Sequence, residues 1–368
     1  TGATFNNSIS VSGGTETVRT YFSYANSYSD GMMRNNNYKR NTLSFRQSYS
    51  LFNKKLNVDL SLNYVQAKTK NRPGGGTVMN PLYDLYRMPR NVDLNYYKEN
   101  YYIENGKWTS NEQSYFDSKN NKWTTGTVEL TGPKQEWAYW QNGMNNPYWM
   151  VNTRNSISEE ERAYGYISAN YQIIDGLKIQ GRLSLDRTKM KGTSERMATT
   201  WNISAMEDYG MYGQDLNWIN EVYVDALLSY DKQIKDFSIS ATTGWTGHTL
   251  KGETQKLWAK ATTANWKHDT MPTLINFFEP SVSQGNVSER SYTLSSNWDK
   301  GLLFTGQIGW QEKVYLEGSY RRDWYRAFKQ YSYRGTPTNY GYFSVGANAL
   351  LHQIVTLPKV ITNLKVRA

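Results

Sequence analysis

The stretch VRTYFSYANSYSDG, Val18–Gly31, decides the fold class. Val18, Thr20, Phe22, Tyr24 and Tyr28 fall on one side of an extended chain, and Arg19, Tyr21, Ser23, Ala25 and Ser27 on the other. A period of two residues is the signature of a β-strand, and the polar, glycine-bearing end marks a turn. The alternation leaves open whether the apolar side meets a protein core or lipid.

Working outward, the same pattern recurs. Phe5, Ile9 and Val11 alternate before it; Leu43, Phe45, Tyr49 and Leu51 after it, then Leu56, Val58, Leu60, Leu62 and Tyr64. Ile167–Ile173 leads through IDG into Leu177–Leu185, Val222–Tyr230 through DKQIKD into Phe237–Trp245, and Phe304–Trp310 through QEK into Val314–Tyr320. Phe343–Leu351 follows, and a final strand lies around Leu364, Val366 and Ala368. The pattern predicts about 12 strands, many longer than the usual ~5–6 residues.

The connections alternate between short and long. The long set is predicted at about 30–38, 69–161, 191–217, 250–301 and 325–340. Antiparallel neighbours put all short turns at one end of the sheet and all long loops at the other. This asymmetry is expected of an outer-membrane β-barrel. The polar side agrees, because it carries Arg19, Arg40, Arg46, Asp59, Lys178, Arg182 and Asp186, which suit a wet lumen and not a packed core. Strands open to lipid must also be paired, since each unsatisfied backbone group costs several kcal/mol in hydrocarbon. The expected fold is therefore all-β: part of a large antiparallel transmembrane β-barrel with long extracellular loops, filling residues 1–368.

Bulk properties set limits. The 368 residues have a mean hydropathy of −0.75, and no apolar run approaches the ~18 residues of a membrane helix. There are no cysteines, hence no disulfides or thiolate chemistry. The net charge of +10 comes without a Lys/Arg block, so nucleic acid is not expected as a partner. TGATFNN lacks the features of a signal peptide, and a leading segment is expected to have been removed or to lie outside the chain.

Several motifs then converge on one family. NNSISVSGGTETVRTYFSYANSYSDGMMRNNNYKRNTLSFRQSYSL (6–51) resembles the early barrel of SusC/RagA-type TonB-dependent outer-membrane transporters. NNPYWM (Asn145–Met150), VYLEGSYRRDW (Val314–Trp324) and LPKVITNLKVRA (357–368) resemble later elements of that family, in the expected order. The resemblance implies a barrel of roughly 22 strands, of which this chain would supply about strands two to thirteen. It also implies an N-terminal plug and a TonB box, neither of which occurs in these residues. The implied partners are a SusD-like surface lipoprotein acting as a lid, the TonB complex through a region missing here, outer-membrane lipid, and an oligosaccharide or peptide ligand. The implied location is the cell outer membrane. The alternatives are a passive porin or adhesin barrel, or a soluble carbohydrate-binding β-protein.

No cofactor, metal or catalytic residues are expected, and the chain is not read as an enzyme. His248, His268 and His352 are far apart and are placed in loops or turns. RPGGGT (Arg72–Thr77) lacks the trailing Lys of a phosphate loop. DSKNNKWTTGTVE (Asp117–Glu129) has the Asp and Asn content of a calcium loop, but Lys119 and Trp123 break the ligand spacing. EWAYWQN offers Trp137, Tyr139, Trp140, Gln141 and Asn142 as ligand or lid contacts, through ring stacking and amide hydrogen bonds. The competing expectation is that these aromatics build a core for the long loop, with Trp149 the most structural. Tyr64, Tyr171, Tyr230 and Trp310 are expected at the membrane interfaces.

Overall fold

The computed structural model describes residues 2–72, 80–117, 121–138, 143–202, 205–206, 211–260, 287–330, 335, 337–356, 358 and 360–368. Twelve strands form one antiparallel sheet in chain order: β1 (Ala3–Gly14), β2 (Val18–Asp30), β3 (Asn37–Leu51), β4 (Leu56–Lys70), β7 (Asn155–Ile174), β8 (Leu177–Arg196), β11 (Met211–Ile234), β12 (Phe237–Lys260), β13 (Val287–Trp310), β14 (Val314–Tyr325), β15 (Asn339–Leu350) and β16 (Lys365–Arg367). The sheet is an open arc with β1 and β16 at its edges.

Burial follows the strand period with the polarity inverted relative to a soluble protein. On β8, Leu183, Leu185, Arg187 and Lys189 are exposed, whereas Ser184, Asp186 and Thr188 between them are half-buried. The apolar side is the open side: Phe22 is 46% and Leu62 52% exposed to solvent. Large side chains in water on a whole sheet face would be an aggregation surface; against lipid they cost nothing.

The register shows how this face meets a bilayer. Following paired residues from Phe22 through Phe45, Leu62, Gly165, Leu185 and Val222 leads to Thr249 on β12. Thr249 lies eight residues past Ala241, the middle of the apolar stretch Phe237–Trp245. The apolar band therefore slips by eight residues over six strand-to-strand steps. With ~3.3 Å per residue and ~4.8 Å between strands, the strands incline by about 43° to the axis. That is the tilt of transmembrane barrels, ~35–45°. The band slides in sequence because it stays level in space.

Short turns close one end: Asp175–Gly176, Lys235–Asp236 and Gln311–Lys313. Gln311 and Glu312 have φ of 48° and 58°, the left-handed pair that suits a tight hairpin turn.

The strands continue beyond their predicted ends. The connection predicted at 30–38 shrinks to 31–36, that at 191–217 to 197–210, that at 250–301 to 261–286, and that at 325–340 to 326–338. The reason is physical. Above the bilayer both faces of the sheet meet water, so the hydrogen-bond ladder runs on without the apolar alternation that marks a strand. The stretch predicted at 69–161 becomes 71–154 and is itself folded. It holds α1 (Pro81–Arg87), α2 (Leu94–Glu99), the hairpin β5 (Tyr102–Asp117) with β6 (Lys122–Gln135), and α3 (Pro147–Thr153). Short strands β9 (Trp201–Asn202) and β10 (Ala205–Met206) and helices α4 (Arg326–Gln330) and α5 (Leu351–Ile354) complete the described elements.

Candidate functional site on the charged face and its long loop

Polar residues on successive strands meet in rows across the second face of the sheet. On β8, Arg182 donates from Nε to Asp225 Oδ2 of β11 at 2.7 Å, and Gln180 Nε2 donates to Asp225 Oδ1 at 3.0 Å. Asp225 is 2% exposed, so these contacts replace the water a buried carboxylate needs. The Arg182 guanidinium also lies 5.3 Å over the Tyr223 ring. Arg162 of β7 forks onto Asp186 of β8 and covers Tyr164 at 4.7 Å. Further along, Arg321 Nε donates to Asp323 at 2.9 Å, and Tyr342 donates its hydroxyl proton to the same carboxylate at 3.0 Å.

His248 of β12 bridges two strands, with Nε2 2.8 Å from Glu221 and Nδ1 2.8 Å from Asp299. The expectation that His248 falls in a loop or turn is therefore corrected: it is a strand residue, three positions past the apolar stretch. His352 lies on α5, 3.3 Å from the Leu364 amide that donates to its ring, and His268 lies outside the described residues.

Within this face a cavity of about 410 Å³ is lined by Arg46, Asn63, Tyr164, Asp186, Glu221 and Tyr223. Among the described residues Arg46 has no hydrogen-bond or ion-pair partner. The cavity thus offers one uncommitted cation, two carboxylates and phenol rings. That set can grip an ionised or hydroxyl-rich ligand.

The long loop stands at the end of the sheet away from the short turns, and its core is built around NNPYWM. Asn146 caps α3 by accepting from the Tyr148 amide at 2.8 Å, with Pro147 at the first helical position where its missing N–H costs nothing. Trp149 is fully buried with Met150 and Met197, against Tyr101 and Tyr102. Its indole donates to Thr200 Oγ1 at 2.9 Å. Gln135, buried, donates its backbone amide to Thr199 Oγ1 at 3.1 Å and its side-chain amide to Asn145 Oδ1 at 3.1 Å, and accepts from the Asn146 amide at 2.9 Å. Asp84 on α1 accepts from the Asn145 amide at 3.2 Å. Burial pushes its carboxyl above the ordinary aspartate range, partly offset by that hydrogen bond and by the charge of Arg87.

Of the predicted contact residues, Trp137 is buried and stacks edge-on against Tyr97 at 4.8 Å between centroids. Tyr139, Trp140, Gln141 and Asn142 lie outside the described residues, as do Pro73–Thr77 of RPGGGT. In the segment with calcium-loop composition, Asp117, Lys122–Gly126, Val128 and Glu129 belong to the β5–β6 hairpin, and residues 118–120 lie outside the described residues. Sequence reasoning missed Met197–Thr200, which completes the loop core from a different connection, because four residues carry no periodicity. It also missed Arg46 as the uncommitted cation. The signal available was only its place on the polar side of β3.

No family model matches the chain, and no curated protein matches it. Solved structures do. The RagAB peptide transporter is matched over 99% of this chain and 36% of its own, with 18% identity and a TM-score of 0.65. The RagAB peptide importer in the open-open state is matched over 98% of this chain and 35% of its own, with 16% identity and a TM-score of 0.67. The ferric citrate transporter FecA is matched over 95% and 39%, with 9% identity and a TM-score of 0.50. The chain spans about a third of the length of the RagAB structures it matches. It thus shares the fold of part of the barrel in the RagAB structures.

Proposed function

We propose that the chain forms the wall and outer loops of an outer-membrane importer that takes up peptides. In this reading it works with a SusD-like surface lipoprotein as lid and draws energy through the TonB complex. The observation that carries the substrate class is the cavity of about 410 Å³ whose lining includes the uncommitted Arg46 beside Asp186 and Glu221, carboxylates that Arg162 and His248 already hold from one side. A peptide presents both a carboxylate and amines, which answer charges of both signs. Bidentate Arg–carboxylate pairing supplies orientation as well as affinity. The RagAB structures that share the fold are described as a peptide transporter and importer, which supports the same class. An oligosaccharide is the second reading, favoured by the tyrosines of the lining, Tyr166 above all, since guanidiniums already cover one face of Tyr164 and of Tyr223.

The test is binding to the full-length transporter with its lid. Arg46→Gln should weaken a short peptide with a free carboxylate by roughly 10–100-fold, the worth of a charge-assisted hydrogen bond. A neutral oligosaccharide should be unaffected. Peptide binding that ignores Arg46→Gln, alongside tight oligosaccharide binding, would favour the second reading. Uptake that persists in cells depleted of TonB would refute energy coupling and leave a passive porin.

A further inference from the structure

A groove of about 550 Å³ crosses the open apolar face between β4, β7 and β8. Its floor exists because small residues sit among large ones. Gly165 is paired between Leu62 and Leu185, and Ala163 between Tyr64 and Arg187. A Cβ at Gly165 would collide with the Ser61 carbonyl oxygen, so the trough is floored by backbone. Arg187 forms its rim toward the long loops, two residues past Leu185 on the same face.

Arg187 is exposed and, among the described residues, has no hydrogen-bond or ion-pair partner. Its register neighbours are Ala163 and Asn220, neither of them acidic. Of the carboxylates next along that face, Glu159 is held by Lys68 at 2.8 Å and Glu161 is paired in register with Lys189. Lys251 lies in the same row, one strand beyond Asn220. Tyr64, an aromatic residue of the kind that sits near the edge of the hydrocarbon, pairs with Ala163 beside Arg187.

We propose that this groove holds an acyl chain of a membrane lipid whose head group carries phosphate, with the phosphate on Arg187. The apolar trough accounts for the chain and the uncommitted guanidinium for the head group, at the depth where the two parts of a lipid divide. The guanidinium fork matches phosphate oxygens and is relieved of an unpaired position beside hydrocarbon. The proposal rests on the transmembrane reading of the sheet.

The experiment is native mass spectrometry of the full-length, detergent-purified transporter titrated with phosphatidylglycerol or with diacylglycerol of the same chains. Phosphatidylglycerol should bind more tightly. Arg187→Gln should erase about five-fold of its affinity, the contribution of one basic side chain to anionic-lipid binding, and leave diacylglycerol unchanged. Ala163→Phe, which fills the trough, should weaken both lipids; a mobility shift on heating checks that it folds. Excess inorganic phosphate should not displace the lipid. Equal binding of the two lipids, indifference to Arg187→Gln, displacement by phosphate, or a second protein copy in place of lipid would each overturn the proposal. A protein that stays monodisperse without detergent would instead overturn the membrane reading beneath it.

Discussion

Ile167→Arg separates lipid from water on the open face. Ile167 lies on β7, paired with Leu60 and Leu183, and is 47% exposed to solvent. It stands four residues from Ala163, in the row of Tyr64, and four from Tyr171. Four residues at ~3.3 Å, projected through a tilt of about 43°, amount to ~10 Å along the membrane normal in each direction. Ile167 is thus near the midplane of an apolar band ~25 Å tall. If water covered this face, replacing a half-exposed Ile by Arg would change stability by no more than ~0.5 kcal/mol. At the bilayer midplane the same change costs ~2–4 kcal/mol, or roughly 30–700-fold in the folding equilibrium. The assay is urea unfolding from phospholipid bilayers followed by tryptophan fluorescence. Ser23→Arg, on the charged face between Ser10 and Ser44, is the comparator and should be mild. Costs for the two variants that agree within ~0.5 kcal/mol would refute the assignment of faces.

Two further outcomes concern the long loop. Trp149→Ala should cost ~3–5 kcal/mol locally, since it empties a fully buried site and orphans the Thr200 contact; limited proteolysis should cut within 71–154 while the sheet survives, and loss of the whole barrel would contradict a separate loop core. Asp84 has a folded-state carboxyl raised by burial, so the folded loop binds its proton before the unfolded loop does as pH falls. Loop stability should therefore rise on acidification from neutral through the raised value, and level off near the ordinary carboxylate range of about 4. Asp84→Asn should flatten that slope in urea midpoints read from loop tryptophan fluorescence, and an unchanged slope would assign it to another group.

Much of the fold was legible along the chain. Alternation such as Val18–Tyr24 and Leu56–Tyr64 marks strands because a pleated backbone sends neighbouring side chains to opposite faces. The order of short and long connections places both ends of the sheet. The helix that begins at Asn146-Pro147 went unread, although its cap chemistry needs no tertiary partner. The charged face was legible as a face. What could not be read were strand ends such as Thr188–Arg196, where water bathes both sides and the pattern fades while the ladder continues.

Other features belong to three dimensions alone. Asp225 is buried because Arg182 and Gln180 come from the neighbouring strand, and Trp149 because Thr200 arrives from a connection 51 residues away. Arg46 and Arg187 are uncommitted only because of what the register sets beside them. Local sequence determines the period, turns and caps, since these depend on neighbouring backbone sterics. Pairing across strands depends on register and tilt, and those are set by the whole sheet meeting a level bilayer.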